Sequence, residues 1–112
     1  MTLKEVVERL GLRVFTSQGV GDVVVTGGYT CDLLSDVMGN AVAGNLWITM
    51  QTHQNVLAVA KLKDLAGIIL VCGREPDQDV LRKADDEDVL MLGTDESAFR
   101  ISGRLFALLE KS

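Results

Sequence analysis

The chain has 112 residues, 47% of them apolar and 24% charged, and its 11 basic and 16 acidic side chains leave a formal charge of −5. That length fits one domain, since domains usually run to about 100–150 residues. A single proline and 11 scattered glycines, beside that apolar fraction, exclude disorder and low complexity.

Thr2 followed by Glu5 has capping-box spacing, and Leu3, Val6, Val7 and Leu10 follow at helical intervals, so a first helix is expected to end at Gly11. Leu12 to Thr16 reads as a short strand and Ser17 to Asp22 as a glycine-rich turn. Val23 to Thr26 reads as a β-branched strand broken by Gly27-Gly28. Asp32 to Met38 is expected to be a short helix capped by Thr30 and ended by Gly39-Asn40. From there the pattern is regular. Leu46 to Met50, Gly67 to Cys72 and Val89 to Leu92 are apolar runs. They alternate with helices expected over Gln54 to Lys63, from Pro76 to about Asp85, and over Asp95 to Glu110. The last helix is apolar at Phe99, Ile101, Leu105, Phe106 and Leu109. Unbroken apolar strands alternating with helices predict a single α/β domain over 1–112, a three-layer α/β/α sandwich with a mostly parallel sheet.

Charge is unevenly placed. The segment from Glu75 to Glu96 holds nine acidic residues against Arg82 and Lys83, a net −7 that leaves +2 for the rest of the chain. A solvated helix and turn accounts for it. With no basic stripe interleaved with aromatics, no nucleic-acid partner is expected. Val37 to Ala60 contains no Asp, Glu, Lys or Arg over 24 residues, yet its Asn, Gln, Thr and Gly interruptions rule out a membrane span, which needs about 20 mostly apolar residues. Cys31 and Cys72, 41 positions apart, do not make a disulfide scaffold, and Met1 to Glu5 lacks the order of a signal peptide. A reducing cytoplasm is the expected setting.

Right-handed crossovers put all β-to-α junctions at one sheet edge, where ligands of open α/β sheets bind. These junctions are Gln51-Thr52-His53, Gly73-Arg74-Glu75 and Gly93-Thr94-Asp95. The sequence has no phosphate loop and no nucleophile elbow, and Gly19-Val20-Gly21 lacks the third glycine of a dinucleotide fingerprint. Gly27-Gly28-Tyr29 either exposes amides to an anion or simply turns the chain. His53, the one histidine, is an acid, base or ligand contact on one reading and a helix cap on the other. Arg74 can fork onto a carboxylate or phosphate, or pair with Glu75 or Asp77. Trp47 is either core or, on an edge strand, part of a subunit interface. A metal site would require Cys31, His53 and Cys72 to converge.

The runs Gly28 to Met38, Gly44 to Thr49, Asn55 to Ala60 and Ala66 to Leu70 resemble the DRTGG domain, most clearly from Val25 to Leu92. This domain also occurs at the N-terminus of HPr kinase/phosphorylase, inside long phosphotransacetylases and beside CBS domains. The resemblance implies a regulatory role. Where that family often has Gly-Asp-Arg after its Ile-Thr strand this chain has Gln51-Thr52-His53, and in place of Thr-Gly-Gly it has Val71-Cys72-Gly73. His53 or Arg74 would have to replace the missing Asp and Arg. The kinase label of larger relatives does not transfer, because their phosphate loop lies in another domain.

The expected function is a non-catalytic regulatory or ligand-binding module, a homodimer, taking a small anionic or nucleotide-like ligand at Thr49, Gln51, His53, Asn55, Gly73 and Arg74. Backbone amides at the helix start near Gln54 would hold the anion. The alternative is a scaffold without a small ligand that binds a protein partner through the acidic segment or the uncharged stretch. No cofactor is identifiable from the sequence.

Overall fold

Thr2 opens helix α1 (Leu3–Leu10) with the expected capping box, and Gly11 closes it in the left-handed conformation at φ 64°. The computed structural model describes residues 1–111. After α1 come β1 (Arg13–Val14), β2 (Gly27–Thr30), α2 (Leu34–Asn40), β3 (Asn45–Thr49), α3 (Asn55–Leu62), β4 (Gly67–Leu70), α4 (Gln78–Asp86), β5 (Met91–Gly93) and α5 (Ala98–Glu110). The five strands form one sheet in the order β1-β5-β4-β3-β2, parallel except for β1, which runs antiparallel to β5.

The strands β2 to β5 add to the sheet in sequence order, and with right-handed crossovers that puts every crossover helix on the same face. The packing follows this rule. Trp47, Ile68, Leu70 and Met91 meet α2, α3 and α4 on one face. Leu46, Ile48, Ile69 and Leu92 meet α1 and α5 on the other. Alternating side chains of each strand thus serve opposite layers, the period-two geometry of a strand buried on both sides. The expected three-layer α/β/α architecture is present. Trp47 belongs to its core, fully buried, with Nε1 donating to the Cys31 carbonyl at 2.8 Å.

Local expectations fail between Val23 and Asp32. The second strand is Gly27–Thr30 rather than Val23–Thr26. Val23 and Val25 instead exchange backbone hydrogen bonds with Leu3 and Met1, so this valine run ties down the N-terminus outside the sheet. Glycine wins the strand position because α5 lies so close that a Cβ on Gly28 would sit 2.8 Å from Leu105 Cδ2. The following helix starts at Leu34 without a side-chain cap, because the Thr30 hydroxyl is bonded to Ser102 on α5 at 2.7 Å. Pro76 precedes the Asp77 cap of α4 and does not occupy its first helical position. Of the apolar positions of the last helix, Phe99 and Phe106 are 91% and 67% exposed, and Ile101 and Leu105 fill the core.

The acidic segment is not merely solvated. Asp85 accepts from the Ser17 amide at 2.8 Å, Asp95 pairs with Arg13 at 3.1 Å, and Glu96 pairs with Arg104. These contacts staple β1, its following loop and α5 onto the ends of α4 and β5.

Candidate functional site

The carboxyl ends of β3 and β4 part around a cleft of about 370 Å³. From the β3–α3 junction it receives Met50 through Gln54, and from β4–α4 it receives Arg74, Asp77 and Val80. Because β2 to β5 are added in one direction, no reversal of strand order opens a crevice here. The cleft exists because each junction leaves its strand through a constrained turn.

At the β3 end that constraint is Asp32, which sequence reasoning assigned to a helix. Its Oδ1 accepts from the Thr49 hydroxyl at 2.7 Å and from the Met50 amide at 2.8 Å, and its carbonyl accepts from Gln51 Nε2 at 3.1 Å. Thr49 Oγ1 in turn accepts from the Gln51 amide at 3.1 Å. One exposed residue just beyond β2, through its carboxylate and its carbonyl, thereby fixes the loop beyond β3. Its legible signal was an Asp following a strand end, obscured because β2 itself was misplaced.

At the β4 end, Cys72 and Gly73 are both left-handed, at φ 59° and 72°. Their amides donate to the Glu96 and Thr94 carbonyls at 2.9 Å. A non-glycine residue in this region costs about 1–2 kcal/mol, so the strand end is held by its neighbours against local preference. The turn delivers Arg74 to the cleft.

Of the six residues expected to bind ligand, Gln51, His53 and Arg74 meet in the cleft. Thr49 is buried, with its hydroxyl committed to Asp32 and Gln51. Asn55 starts α3, and Gly73 supports its turn; neither lines the cleft. His53 caps a helix, accepting the Asn55 amide on Nδ1 at 3.2 Å. In the neutral ring this leaves the proton on Nε2, available to a ligand. Arg74 pairs with neither Glu75 nor Asp77, and its guanidinium has no hydrogen-bond or ionic partner among the described residues.

The helix expected to present amides is the wrong one. At α3 the amides of Asn55, Val56 and Leu57 are taken by His53 Nδ1, the His53 carbonyl and the Gln54 carbonyl. At α4 the Asp77 side chain makes no cap, and the amides of Gln78, Asp79 and Val80 have no acceptor among the described residues. Helix starts with free amides favour anions. Asp77 and Asp79 oppose a highly charged one. Arg74 and His53 bring donors to the cleft wall and Asp77 a carboxylate acceptor, while Gln78 and Asp79 lie beside the cleft and do not line it. Among the described residues no three His, Cys, Asp or Glu gather as a metal site, and no helix is long and apolar enough to cross a membrane.

No protein-family model matches the chain, and no curated protein matches it. Among solved structures, its fold is similar to the CBS and DRTGG domains of the regulatory region of Clostridium perfringens pyrophosphatase, complexed with its activator diadenosine tetraphosphate. The TM-score is 0.74 at 14% identity, over 93% of this chain and 45% of that one. The likeness is one of fold, and the chain spans under half the length of that structure.

Proposed function

We propose that this chain is a non-catalytic regulatory module, a single domain over 1–112 acting as a homodimer in the cytoplasm, that binds a small anionic or nucleotide-like ligand in the cleft between β3 and β4. The observation that carries this reading is the meeting of an unpaired Arg74 with His53 from a separate junction. A guanidinium with no protein partner offers a fork for a carboxylate or phosphate. His53 Nε2 and the Thr52 hydroxyl supply directional hydrogen bonds, and the free amides of α4 add to the positive potential. Asp77 selects for a ligand that also carries donors, such as a nucleobase edge, over a bare polyanion. The fold similarity to a regulatory region complexed with a nucleotide activator supports the same class of ligand.

A regulatory rather than catalytic role rests on the chemistry in the cleft. His53 has one ring nitrogen committed to the Asn55 amide and, among the described residues, no serine, cysteine or threonine nucleophile hydrogen-bonded to it. Incubation with ATP is expected to transfer no phosphate to protein substrates. The scaffold alternative is weaker, because Asp85, Asp95 and Glu96 of the acidic segment are engaged within the chain.

Thermal-shift screening against nucleotides and phosphorylated metabolites tests the proposal. Wild type is expected to gain several degrees with at least one ligand. Arg74→Ala should lose most of that gain, since a charge-assisted hydrogen bond contributes about 1.5–3 kcal/mol, and His53→Ala a smaller part. No shift with any ligand, or shifts equal in all three proteins, refutes it.

A further inference from the structure

On the face opposite the cleft, a groove of about 1170 Å³ runs between β2 and α5. Its helix wall carries Phe99, Gly103, Phe106 and Glu110 at intervals of three and four residues, which places them on one stripe. Phe99 is 91% and Phe106 67% exposed. Two phenylalanines presented to water on one helix face, beside an edge strand with neither charge nor proline, mark a surface that is covered in use.

Resting on the homodimer proposed above, we propose that its interface is this stripe and that the occupant is a second copy of this chain, packed by a two-fold axis that sets the two α5 helices antiparallel. Shape on the stripe, and charge beside it, are self-complementary in that arrangement. A Cβ built on Gly103 meets no atom within 4 Å, so the glycine is an open hole. An axis passing between Gly103 and Phe106 seats Phe106 of each copy over Gly103 of the other. The same axis brings Arg100 of each copy beside Glu110 of the other, one position out of register. Neither Arg100 nor Glu110 has a side-chain partner among the described residues of its own chain, and both line the groove. Arg104, which would otherwise meet its counterpart near the axis, is paired with Glu96 and donates to the Arg9 carbonyl. This is the isologous contact a closed dimer requires, with aromatic anchors at the centre and opposite charges at the rim.

Size-exclusion chromatography with light scattering on the full chain, without ligand, tests the surface. Wild type is expected at twice the chain mass of 12.1 kDa. Phe106→Glu should raise the dimer dissociation constant by about thirtyfold or more, as expected for a central anchor. Arg100→Glu and Glu110→Arg should each weaken the dimer, because each sets like charges face to face. Mixing those two variants should restore a dimer containing one copy of each. All three positions are exposed, so circular dichroism should show unchanged folding. Single reversals that dimerise like wild type, or a mixture that fails to recover, would overturn this interface and leave the homodimer standing; wild type that remains at the mass of one chain would overturn both.

Discussion

Small polar contacts at single residues decide the shape of the cleft. Asp32 holds three donors of the β3–α3 junction. Two of the three bonds are to the carboxylate, so Asp32→Ala should cost about 1–2 kcal/mol in denaturant unfolding and loosen Thr49 and Met50 even where the fold survives. Cys72 sits in left-handed backbone without a side-chain reason, and Cys72→Gly should raise stability by about 0.5–1 kcal/mol as the Cβ strain disappears. Tyr29 donates to Asp36 at 2.6 Å. That bond, joined by the Cys31 thiol and the Asn40 amide, holds the Asp36 carboxyl below the ordinary carboxylate range; the same bond, then burial, raises the Tyr29 hydroxyl. A carboxyl with its folded pKa depressed stabilises the fold above its unfolded pKa, and that contribution is lost as pH falls through the folded value. The melting-temperature gap between wild type and Asp36→Asn should be constant near neutrality and close on acidification below the carboxylate range. A gap that stays open in acid would show that the charge on Asp36 is not what stabilises.

Whole elements were legible where hydrophobic period and cap agreed. Thr2, Glu5 and Gly11 delimit α1, and the apolar runs of β3, β4 and β5 lie within a residue or two of expectation. The signal failed where tertiary contact overrode local preference. Val23 to Thr26 has better strand chemistry than Gly27 to Thr30. The sheet takes this segment because Gly28 leaves room for Leu105, and the valines are diverted to pair with residues 1–3. Phe99 and Phe106 read as apolar like Ile101 and Leu105, because composition cannot tell a helix face that packs on the sheet from one that faces outward. The same failure hid half of the site. His53 and Arg74 were legible as residues at junctions, but Asp32 depended on the correct position of β2, and the free amides of α4 on knowing that Asp77 does not cap. Gly44 offers a test at this scale. It enters β3 at φ 84°, and a Cβ there would lie 2.7 Å from the Thr26 side chain. Gly44→Ala should lower stability by about 1–3 kcal/mol through backbone strain and this clash, read as a fall in the denaturation midpoint; an unchanged midpoint would show that the β2–β3 entry yields freely.

At the scale of the molecule, the sheet separates two surfaces. One face and edge carry the cleft built by α3 and α4, and the opposite face carries the aromatic stripe of α5. On the two proposals above, a small ligand would bind on one side of the sheet and a second copy on the other. The net charge of −5 refines this picture. Its acidic excess lies around α4 and β5, in part bonded within the chain, and next to it Arg74 stands as an unpaired cation. The most direct measurement is a titration of isotopically labelled protein with the best-binding nucleotide, followed by amide chemical shifts. The account predicts concentration-dependent shifts at Gln51 to Gln54, Arg74 and Gln78 to Val80, abolished by Arg74→Ala, with the α5 amides unmoved. Shifts confined to other surfaces, or a wild-type spectrum unchanged by every nucleotide and phosphorylated metabolite, would contradict it.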